Sequence, residues 1–295
     1  MSEVRRRLRE RLEQPRILLL PGVYDSICAR LVQQAGFEAV YMTGSGTAMA
    51  RYGVPDIGLV TMTEMVSAAA ALSDAVDIPV IADADTGYGN ALNVQRTVKE
   101  YERAGVAALQ FEDQVFPKRC GHLAGKQVIS AEEMVGKLKA ALDARTDPDL
   151  LIIARTDARA THGEEEALRR ARMFEEAGAD IIFVEAPLTM DEMRRVPASV
   201  GRPCLANMVE GGRSPLLNAS ELEALGFRIA LFANAVTRFI AKQVPAFLAE
   251  FKAEGGSRNL GHKQVLFDEL QHIMDLDAWA EREVRYGGLS PVAAK

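Results

Sequence analysis

The sequence has few cysteines, no excess of positive charge and no long hydrophobic run. Its 295 residues include three cysteines, Cys28, Cys120 and Cys204, with no Cys-x-x-Cys pair. This argues against a disulfide framework and favours a reducing compartment. The formal net charge of −6 gives no support for binding to nucleic acid or to an anionic membrane surface. No apolar run approaches the roughly 20 residues that cross a bilayer. These absences predict a soluble, cytoplasmic protein with no nucleic-acid or membrane partner.

Two short sequence patterns are also absent. Residues 1–16 are rich in arginine but contain no apolar core, so they do not resemble a secretory signal, and we expect a solvated helix or a frayed arm. No Gly-x-Gly-x-x-Gly follows an apolar run; Gly44-Ser45-Gly46 comes closest but lacks the third glycine. Because that motif forms the turn that cradles a dinucleotide, a dinucleotide-binding fold is disfavoured.

What the sequence does contain is a regular alternation of two segment types. Short apolar runs rich in Val, Ile and Leu are separated by longer segments of helical period. The runs cover residues 17–20, 39–42, 79–82, 106–111, 150–154, 180–184, 204–206 and 227–232. The helical segments cover residues 25–35, 63–76, 93–104, 131–144, 164–177, 190–200 and 219–225. Continuously apolar strands are typical of a parallel sheet buried on both faces. The pattern predicts an α/β fold, a (β/α)8 TIM barrel, with a doubly wound open sheet as the alternative.

Glycine marks the ends of several predicted helices. The triplets that place it there are Gln34-Ala35-Gly36, Arg103-Ala104-Gly105 and Glu176-Ala177-Gly178. Glycine at this position favours a left-handed cap that leads into the next strand. After the eighth strand the chain has more helix than one layer requires, at residues 234–253 and 261–285. We therefore predict one barrel domain over residues 1–295, with residues 234–295 as a helical extension that contributes to oligomerisation.

Nearly every predicted strand ends on polar residues, and in a barrel the active site lies at those ends. Asp83 and Asp85 are two apart, so both point to one face of a strand, and Glu112 ends the next strand. Three unpaired carboxylates this close repel one another unless they are protonated or a cation neutralises them. Hard oxygen ligands suit Mg2+, with Mn2+ next, rather than zinc. Arg155 at a strand end could hold a substrate carboxylate. Capping of the following helix is the simpler explanation for three others, Thr86, Asp113 and Asp157.

A polar loop follows the strand that ends at Glu112. Residues 118–122 place two cations, Cys120 and His122 within five positions. Positive neighbours favour the ionised form of a thiol, and two glycines allow such a loop to bend or move. Together with the carboxylates, this loop indicates an anionic substrate, a metal that stabilises enolate charge, and a thiol that acts as acid or base.

These motifs resemble those of the isocitrate lyase/phosphoenolpyruvate mutase superfamily over residues 17–286. The matching blocks are Lys118-Arg119-Cys120-Gly121-His122, Tyr41-Met42-Thr43-Gly44-Ser45-Gly46, Asp83-Ala84-Asp85-Thr86-Gly87-Tyr88-Gly89, Glu112-Asp113-Gln114 and Ala154-Arg155-Thr156-Asp157-Ala158. The first resembles the signature of the lyase branch. The resemblance implies a (β/α)8 barrel whose last helix is swapped between subunits of a homotetramer. It also implies Mg2+ held by Asp83, Asp85 and Glu112, partly through water.

The resemblance implies a reaction as well. Lyases of this family cleave a 2-hydroxy acid that carries a second carboxylate, between C2 and C3, by a retro-aldol step. The residues implied to hold the pyruvate-like half are Tyr41, Ser45, Gly46, Arg155 and Asn207. Gly121 and His122 would bind the other carboxylate, and Cys120 would protonate the carbanion that remains.

The remaining implied residues surround the metal or move protons. Asp56 and Glu185 would complete the shell around the metal and its waters, and Lys118 belongs to the catalytic signature. Tyr41 is the candidate for removing the proton of the substrate hydroxyl. That role would require the pKa of Tyr41 to be strongly lowered.

The block after Asn207 leaves the substrate open. It reads Asn207-Met208-Val209-Glu210-Gly211-Gly212, where methylisocitrate lyases usually carry Thr-Glu-Phe-Gly after the asparagine. This version looks more like alkylmalate lyases, the petal death protein and carboxyphosphonoenolpyruvate mutase. The expected substrate is therefore a di- or tricarboxylate, either a 2-alkylmalate or a methylisocitrate-like acid. The alternatives are a carbon–phosphorus mutase, an oxaloacetate hydrolase or decarboxylase, and a noncatalytic barrel that binds an anion.

Overall fold

The computed structural model describes residues 2–121 and 123–287, and the chain divides into two compact units, Met1–Thr237 and Arg238–Lys295. The strands are β1 (Leu18–Val23), β2 (Val40–Met42), β3 (Val80–Asp83), β4 (Ala108–Glu112), β5 (Leu151–Thr156), β6 (Ile181–Val184), β7 (Cys204–Asn207) and β8 (Ile229–Phe232). The helices up to β8 are α1 (Glu3–Glu13), α2 (Ser26–Gln34), α3 (Gly44–Tyr52), α4 (Met62–Ala75), α5 (Ala91–Arg103), α6 (Ala131–Ala144), α7 (Ala158–His162), α8 (Glu164–Glu176), α9 (Met190–Ala198) and α10 (Ala219–Ala224). The chain continues with α11 (Ala235–Glu254), a 3-10 turn (Gly261–Lys263), α12 (Phe267–Ile273) and α13 (Leu276–Gly287).

The eight strands form a closed parallel barrel. Each strand pairs with its successor, and β8 pairs with β1, with Leu18 opposite Ile229. The predicted (β/α)8 barrel is thus confirmed, and the open-sheet alternative is wrong because each of the eight described strands is paired on both sides. The sequence pattern requires only that both faces of the strands be covered, which an open sheet flanked by helices also achieves; it is the pairing of β8 with β1 that shows closure. All polar strand ends consequently meet at one mouth.

The opposite end of the barrel is covered by α1. Leu8 and Leu12, four residues apart on one helix face, are buried in the same cluster as the barrel residues Leu18, Ile181 and Ile229. The expectation of a solvated helix or frayed arm is therefore wrong. The physical reason is the spacing of the apolar residues of α1, which recur at helical period and so form one apolar face. The high arginine content makes this face hard to recognise in the sequence.

Two arginines of α1 are also buried. Arg5 donates from Nη1 to Asp147 Oδ2 at 3.1 Å, from Nε to the Val106 carbonyl at 2.9 Å and from Nη2 to the Glu102 carbonyl at 2.6 Å. Arg11 donates to the Ile17 carbonyl at 2.9 Å. These bonds tie α1 to the loops at the base of the barrel.

Replacing Arg5 with methionine is expected to destabilise the protein. Methionine keeps much of the side-chain volume but leaves the buried carboxylate of Asp147 without its guanidinium, and breaking a buried pair costs about 3 kcal/mol. Chemical denaturation measures this loss. The control is Arg6→Met, because the Arg6–Glu10 pair is exposed. Losing that pair should change the free energy of unfolding by less than about 0.5 kcal/mol. Equal stabilities of the two variants would contradict the role of Arg5.

The structure agrees with the predicted glycine caps and differs from the predicted set of helices at three segments. Gly36, Gly105 and Gly178 have φ of 82°, 87° and 102°, as expected for left-handed caps. The short helices α3 and α7 were not predicted because each directly follows a strand end without a separate apolar run. The predicted helix over residues 261–285 is instead a 3-10 turn followed by α12 and α13.

The second unit is largely helical over its described residues, 238–287. Its exposed large apolar side chains include Phe239, Leu248, Phe267, Trp279 and Tyr286. The prediction of one domain with an oligomerising extension stays a prediction. Over the described part of the chain, no helix combines the length and apolarity needed to cross a membrane.

Candidate active site

An acidic group lies at the mouth of the barrel, at the ends of β3 and β4. Asp83, Asp85 and Glu112 are all buried. Asp85 has φ of 48° and its N–H donates to Asp83 Oδ1 at 3.1 Å. Burial and the neighbouring Asp85 raise the pKa of Asp83 to about 6, and burial raises the pKa of Glu112 well above its usual value. Both shifts indicate carboxylates that lack sufficient positive charge around them.

Lys118 reaches this group from the loop after β4. Its Nζ lies 2.8 Å from Asp85 Oδ1 and 2.5 Å from Asp56 Oδ1. Burial alone would lower the pKa of Lys118, but four surrounding carboxylates, Asp85, Asp56, Glu112 and Asp83, together more than offset it, and the pKa is raised. Lys118 is therefore a fixed positive charge between two predicted site residues, Asp56 and Asp85.

Arg155 occupies the centre of a second cluster of charges at the end of β5. Its Nε lies 2.9 Å from Asp157 Oδ2 and 3.3 Å from Glu112 Oε2, and its Nη2 lies 3.6 Å from Glu185 Oε2. Asn207 Nδ2 donates to the same Glu185 oxygen at 3.4 Å. The parallel pairing of β4 with β5 places Glu112 directly opposite Arg155. The structure thus brings together four predicted site residues from β4, β5, β6 and β7.

Among the described residues, none of the three attributed to helix capping caps the next helix with its side chain. Asp157 makes no side-chain cap bond and instead binds Arg155 and Lys126. Asp113 accepts from Arg170 and from Thr156. Helix α5 is capped by Asn90, not by Thr86. The capping expectation is wrong here because buried cations, distant in sequence, compete for Asp113 and Asp157.

The loop that carries Cys120 packs over Arg155. A Cβ added at Gly121 would lie 2.4 Å from Arg155 Nη2 and 2.8 Å from Glu185 Cδ, so only glycine permits this approach. Cys120 is half-buried, and its N–H donates to the Asp56 carbonyl at 3.2 Å. His122, the other predicted residue of this loop, lies outside the described residues.

The remaining predicted residues lie on β2 and at the start of α3. Gly44 approaches Asp83 so closely that an added Cβ would lie 2.6 Å from Oδ2. Thr43 caps α3 by accepting from the N–H of Gly46 at 3.2 Å, and Ser45 lies between them. Tyr41 is buried, and the pKa of its hydroxyl is raised, by burial first and then by Asp83. The lowered pKa that a base would need is not found.

The carboxylates of the acidic group fit the predicted Mg2+ site by their donor chemistry. Among residues 2–121 and 123–287, no three His, Cys, Asp or Glu side chains form a ready cluster for a metal ion. The chemistry of the donors nevertheless fits: Glu112 Oε1 is buried with no hydrogen-bond partner in the described part of the chain, and the pKa of Asp83 is raised to about 6 by burial and Asp85. Because Mg2+ retains several waters, it can contact carboxylates through them without three direct ligands.

Two residues that the sequence analysis gave no role contribute to this site. Lys126 contacts both Asp157 and the Gly121 carbonyl. Gln114 accepts from the N–H of Arg119 at 3.0 Å and donates to its carbonyl at 2.8 Å, which fixes the start of the loop. No local signal marks either residue, because each role depends on a partner that folding brings near.

Comparison with known proteins gives consistent matches over nearly the whole chain. The family model for phosphoenolpyruvate phosphomutase matches residues 8–252. The 2,3-dimethylmalate lyase of Eubacterium barkeri is 48% identical over 280 residues, which cover 95% of this chain and 97% of the relative. The 2-methylisocitrate lyase of Aeropyrum pernix is 42% identical over 276 residues, 94% of this chain and 89% of the relative. A solved structure of a phosphonopyruvate hydrolase with oxalate and Mg2+ has a TM-score of 0.87 at 31% identity, covering 97% of this chain and 99% of that one.

Proposed function

Because the chain belongs to the phosphoenolpyruvate mutase/isocitrate lyase superfamily, we propose that it is a Mg2+-dependent carbon–carbon lyase. Its substrate is a 2-alkylmalate or a 2-methylisocitrate-like 2-hydroxy acid, cleaved by retro-aldol chemistry to pyruvate, or a related 2-oxo acid, and a carboxylic acid. The observation that carries this proposal is the meeting of Glu112, Arg155 and Glu185 under the Gly121 backbone. That arrangement offers positive charge to a carboxylate beside acidic groups suited to a cation.

The substrate would bind with its pyruvate-like half against Tyr41, Ser45, Gly46, Arg155 and Asn207. Gly121 and His122 would receive the second carboxylate as the loop closes. The hydroxyl proton leaves, the C2–C3 bond breaks, and its electron pair remains on the carbon of the departing acid. Cys120 then gives that carbon a proton. Tyr41 remains our candidate base, a role that requires bound ligands to reverse the raised pKa.

Asp83, Asp85 and Glu112 would hold the metal, with Asp56 and Glu185 around it. Mg2+, or Mn2+ in its place, would supply charge stabilisation to the vicinal oxygens of the substrate. Lys118 holds Asp56 and Asp85 in position at 2.5 and 2.8 Å. This support for the metal comes from the donor chemistry and from the relative that was crystallised with oxalate and Mg2+.

We further propose that the protein is cytoplasmic and assembles as a homotetramer of helix-swapped dimers. The exposed apolar side chains of Arg238–Lys295, among them Phe239, Phe267 and Trp279, support a partner-covered surface, because large apolar areas in water are unfavourable. Sedimentation analysis would test the tetramer directly.

A second candidate function is that of a phosphonomutase, which forms a carbon–phosphorus bond, because the matching family model is that of a phosphoenolpyruvate phosphomutase. A panel assay separates the two functions. Each acid is assayed for the 2-oxo acid that its cleavage releases: pyruvate from citramalate, 2,3-dimethylmalate and 2-methylisocitrate, and glyoxylate from malate and isocitrate. Oxaloacetate is assayed for oxalate, the product of hydrolysis, and for pyruvate, the product of decarboxylation, and a carboxyphosphonate enol ester is tested separately. We expect the highest kcat/KM for 2,3-dimethylmalate or another 2-alkylmalate. Turnover of the phosphonate-forming substrate without any pyruvate from the acids would overturn the lyase proposal.

A further inference from the structure

Asp157 is a buried carboxylate shared by two cations. Arg155 donates to it from Nε at 2.9 Å and from Nη2 at 3.2 Å, and Lys126 Nζ lies 2.8 Å from its Oδ1. The side chain of Asp157 has no exposed surface, and that of Lys126 is 2% exposed. Burying an ammonium group is costly, so the position of Lys126 calls for an explanation beyond filling space.

Lys126 has a second acceptor that belongs to the catalytic loop. Its Nζ also donates to the carbonyl of Gly121. Gly121 is the residue whose α-carbon packs against Arg155 Nη2 and Glu185. One ammonium group therefore joins the backbone of the loop to the carboxylate that orients Arg155.

The base of the loop is fixed independently of Lys126. The Val115 N–H donates to the Gln127 carbonyl at 2.8 Å, and Gln114 forms an antiparallel bridge with Val128. Between these fixed ends, one contact holds the loop backbone to the segment at Asp56: the Cys120 N–H donates to the Asp56 carbonyl at 3.2 Å. Lys126 thus supplies the contact on the side of Arg155.

We infer that Lys126 is a positioning residue that ties the backbone at Gly121 to the orientation of Arg155 through the carboxylate that Lys126 and Arg155 share, Asp157. Without the ammonium group, Gly121 loses its tie to Asp157, and its packing against Arg155 is weakened. Because Cys120 directly precedes Gly121, the same contact also fixes the position of the thiol relative to the guanidinium that holds the substrate carboxylate. The expected effect on kcat rests on the proposed function, whereas the expected effect on the structure of the loop does not.

Amide hydrogen exchange of the full-length protein tests the structural consequence. In Lys126→Met, the amides of Arg119, Cys120 and Leu123 should exchange about 10-fold faster than in the wild type, because they report local opening. Lys126→Arg, which keeps a donor, should recover most of the protection. Lys137→Met is the matched control, since Lys137 is also buried and donates to a carbonyl, that of Thr86; its loop amides should exchange as in the wild type.

Kinetics test the coupling to Arg155. Lys126→Met should lower kcat about 10²-fold with a smaller change in KM, as expected when catalytic groups are misplaced rather than removed. Lys126→Arg should restore it in part. Unchanged loop exchange in Lys126→Met, or exchange accelerated evenly over the whole chain, would overturn the inference. If the wild type released no pyruvate, the proposed function would fail while the exchange comparison still decided the role of Lys126.

Discussion

Cys120→Ser is expected to lower the rate of carbon–carbon cleavage by about 10³-fold, the range attributed to general acid catalysis. Serine matches cysteine in shape, but its hydroxyl is a far weaker acid than a thiol, so the carbanion loses its proton donor. Two backbone bonds position this residue: its N–H donates to the Asp56 carbonyl, and its carbonyl accepts from the N–H of Leu123 at 2.8 Å. Because the substitution keeps both bonds, we expect the backbone of the loop to stay in place.

The experiment needs a measure of binding beside the measure of rate. Pyruvate and Mg2+ should bind to Cys120→Ser as to the wild type, because neither contact depends on the thiol. Cys204→Ser serves as the control: Cys204 is buried at the start of β7, at the end of the strand opposite to Asn207 and the site. The control should retain wild-type kcat. Near-normal turnover in Cys120→Ser would remove the general acid from the proposal.

The barrel could be predicted from the sequence because its signal is local. Each strand is a short apolar run, and each left-handed cap, such as Gly36 or Gly105, is visible as one residue between two patterns. The same logic placed Asp83, Glu112 and Arg155 at one mouth, since the ends of parallel strands must meet. Here the local sequence and the closed fold require the same arrangement.

The parts that could not be predicted depend on pairs distant in the sequence. Lys126 and Asp157 are 31 positions apart, and no periodicity connects them. The high arginine content of α1 suggested a solvated helix, whereas Arg5 is buried against two carbonyl acceptors. Because these acceptors lie more than 90 residues away in the sequence, no local pattern could predict the burial. Tyr41 shows the same limit: its position could be predicted, but the direction of its pKa depends on the burial that folding creates.

Removing divalent metal with EDTA is expected to abolish cleavage, and adding Mg2+ or Mn2+ should restore it. The pKa of Asp83 and that of Glu112 are raised by burial, so their carboxylates gain stability from an added cation. Binding should also stabilise the fold, by about 2.7 kcal/mol at a Mg2+ concentration 100 times Kd. Thermal unfolding with and without Mg2+ measures this gain independently of catalysis. Glu112→Gln should weaken it, whereas Asp74→Asn, which alters an exposed carboxylate of α4, should not.

The loss of activity after chelation can be assigned to the metal only if the metal-free protein stays folded. Lys118 makes this the expected result, because its ammonium already contacts Asp85 and Asp56 at 2.8 and 2.5 Å and offsets part of their charge, and Arg155 lies 3.3 Å from Glu112. Repulsion among the carboxylates is thereby limited without a divalent ion. The far-ultraviolet circular dichroism of the EDTA-treated protein should therefore match that of the untreated protein while cleavage is lost. An enzyme that remains active in EDTA would contradict the assignment of Asp83, Asp85 and Glu112 as metal ligands.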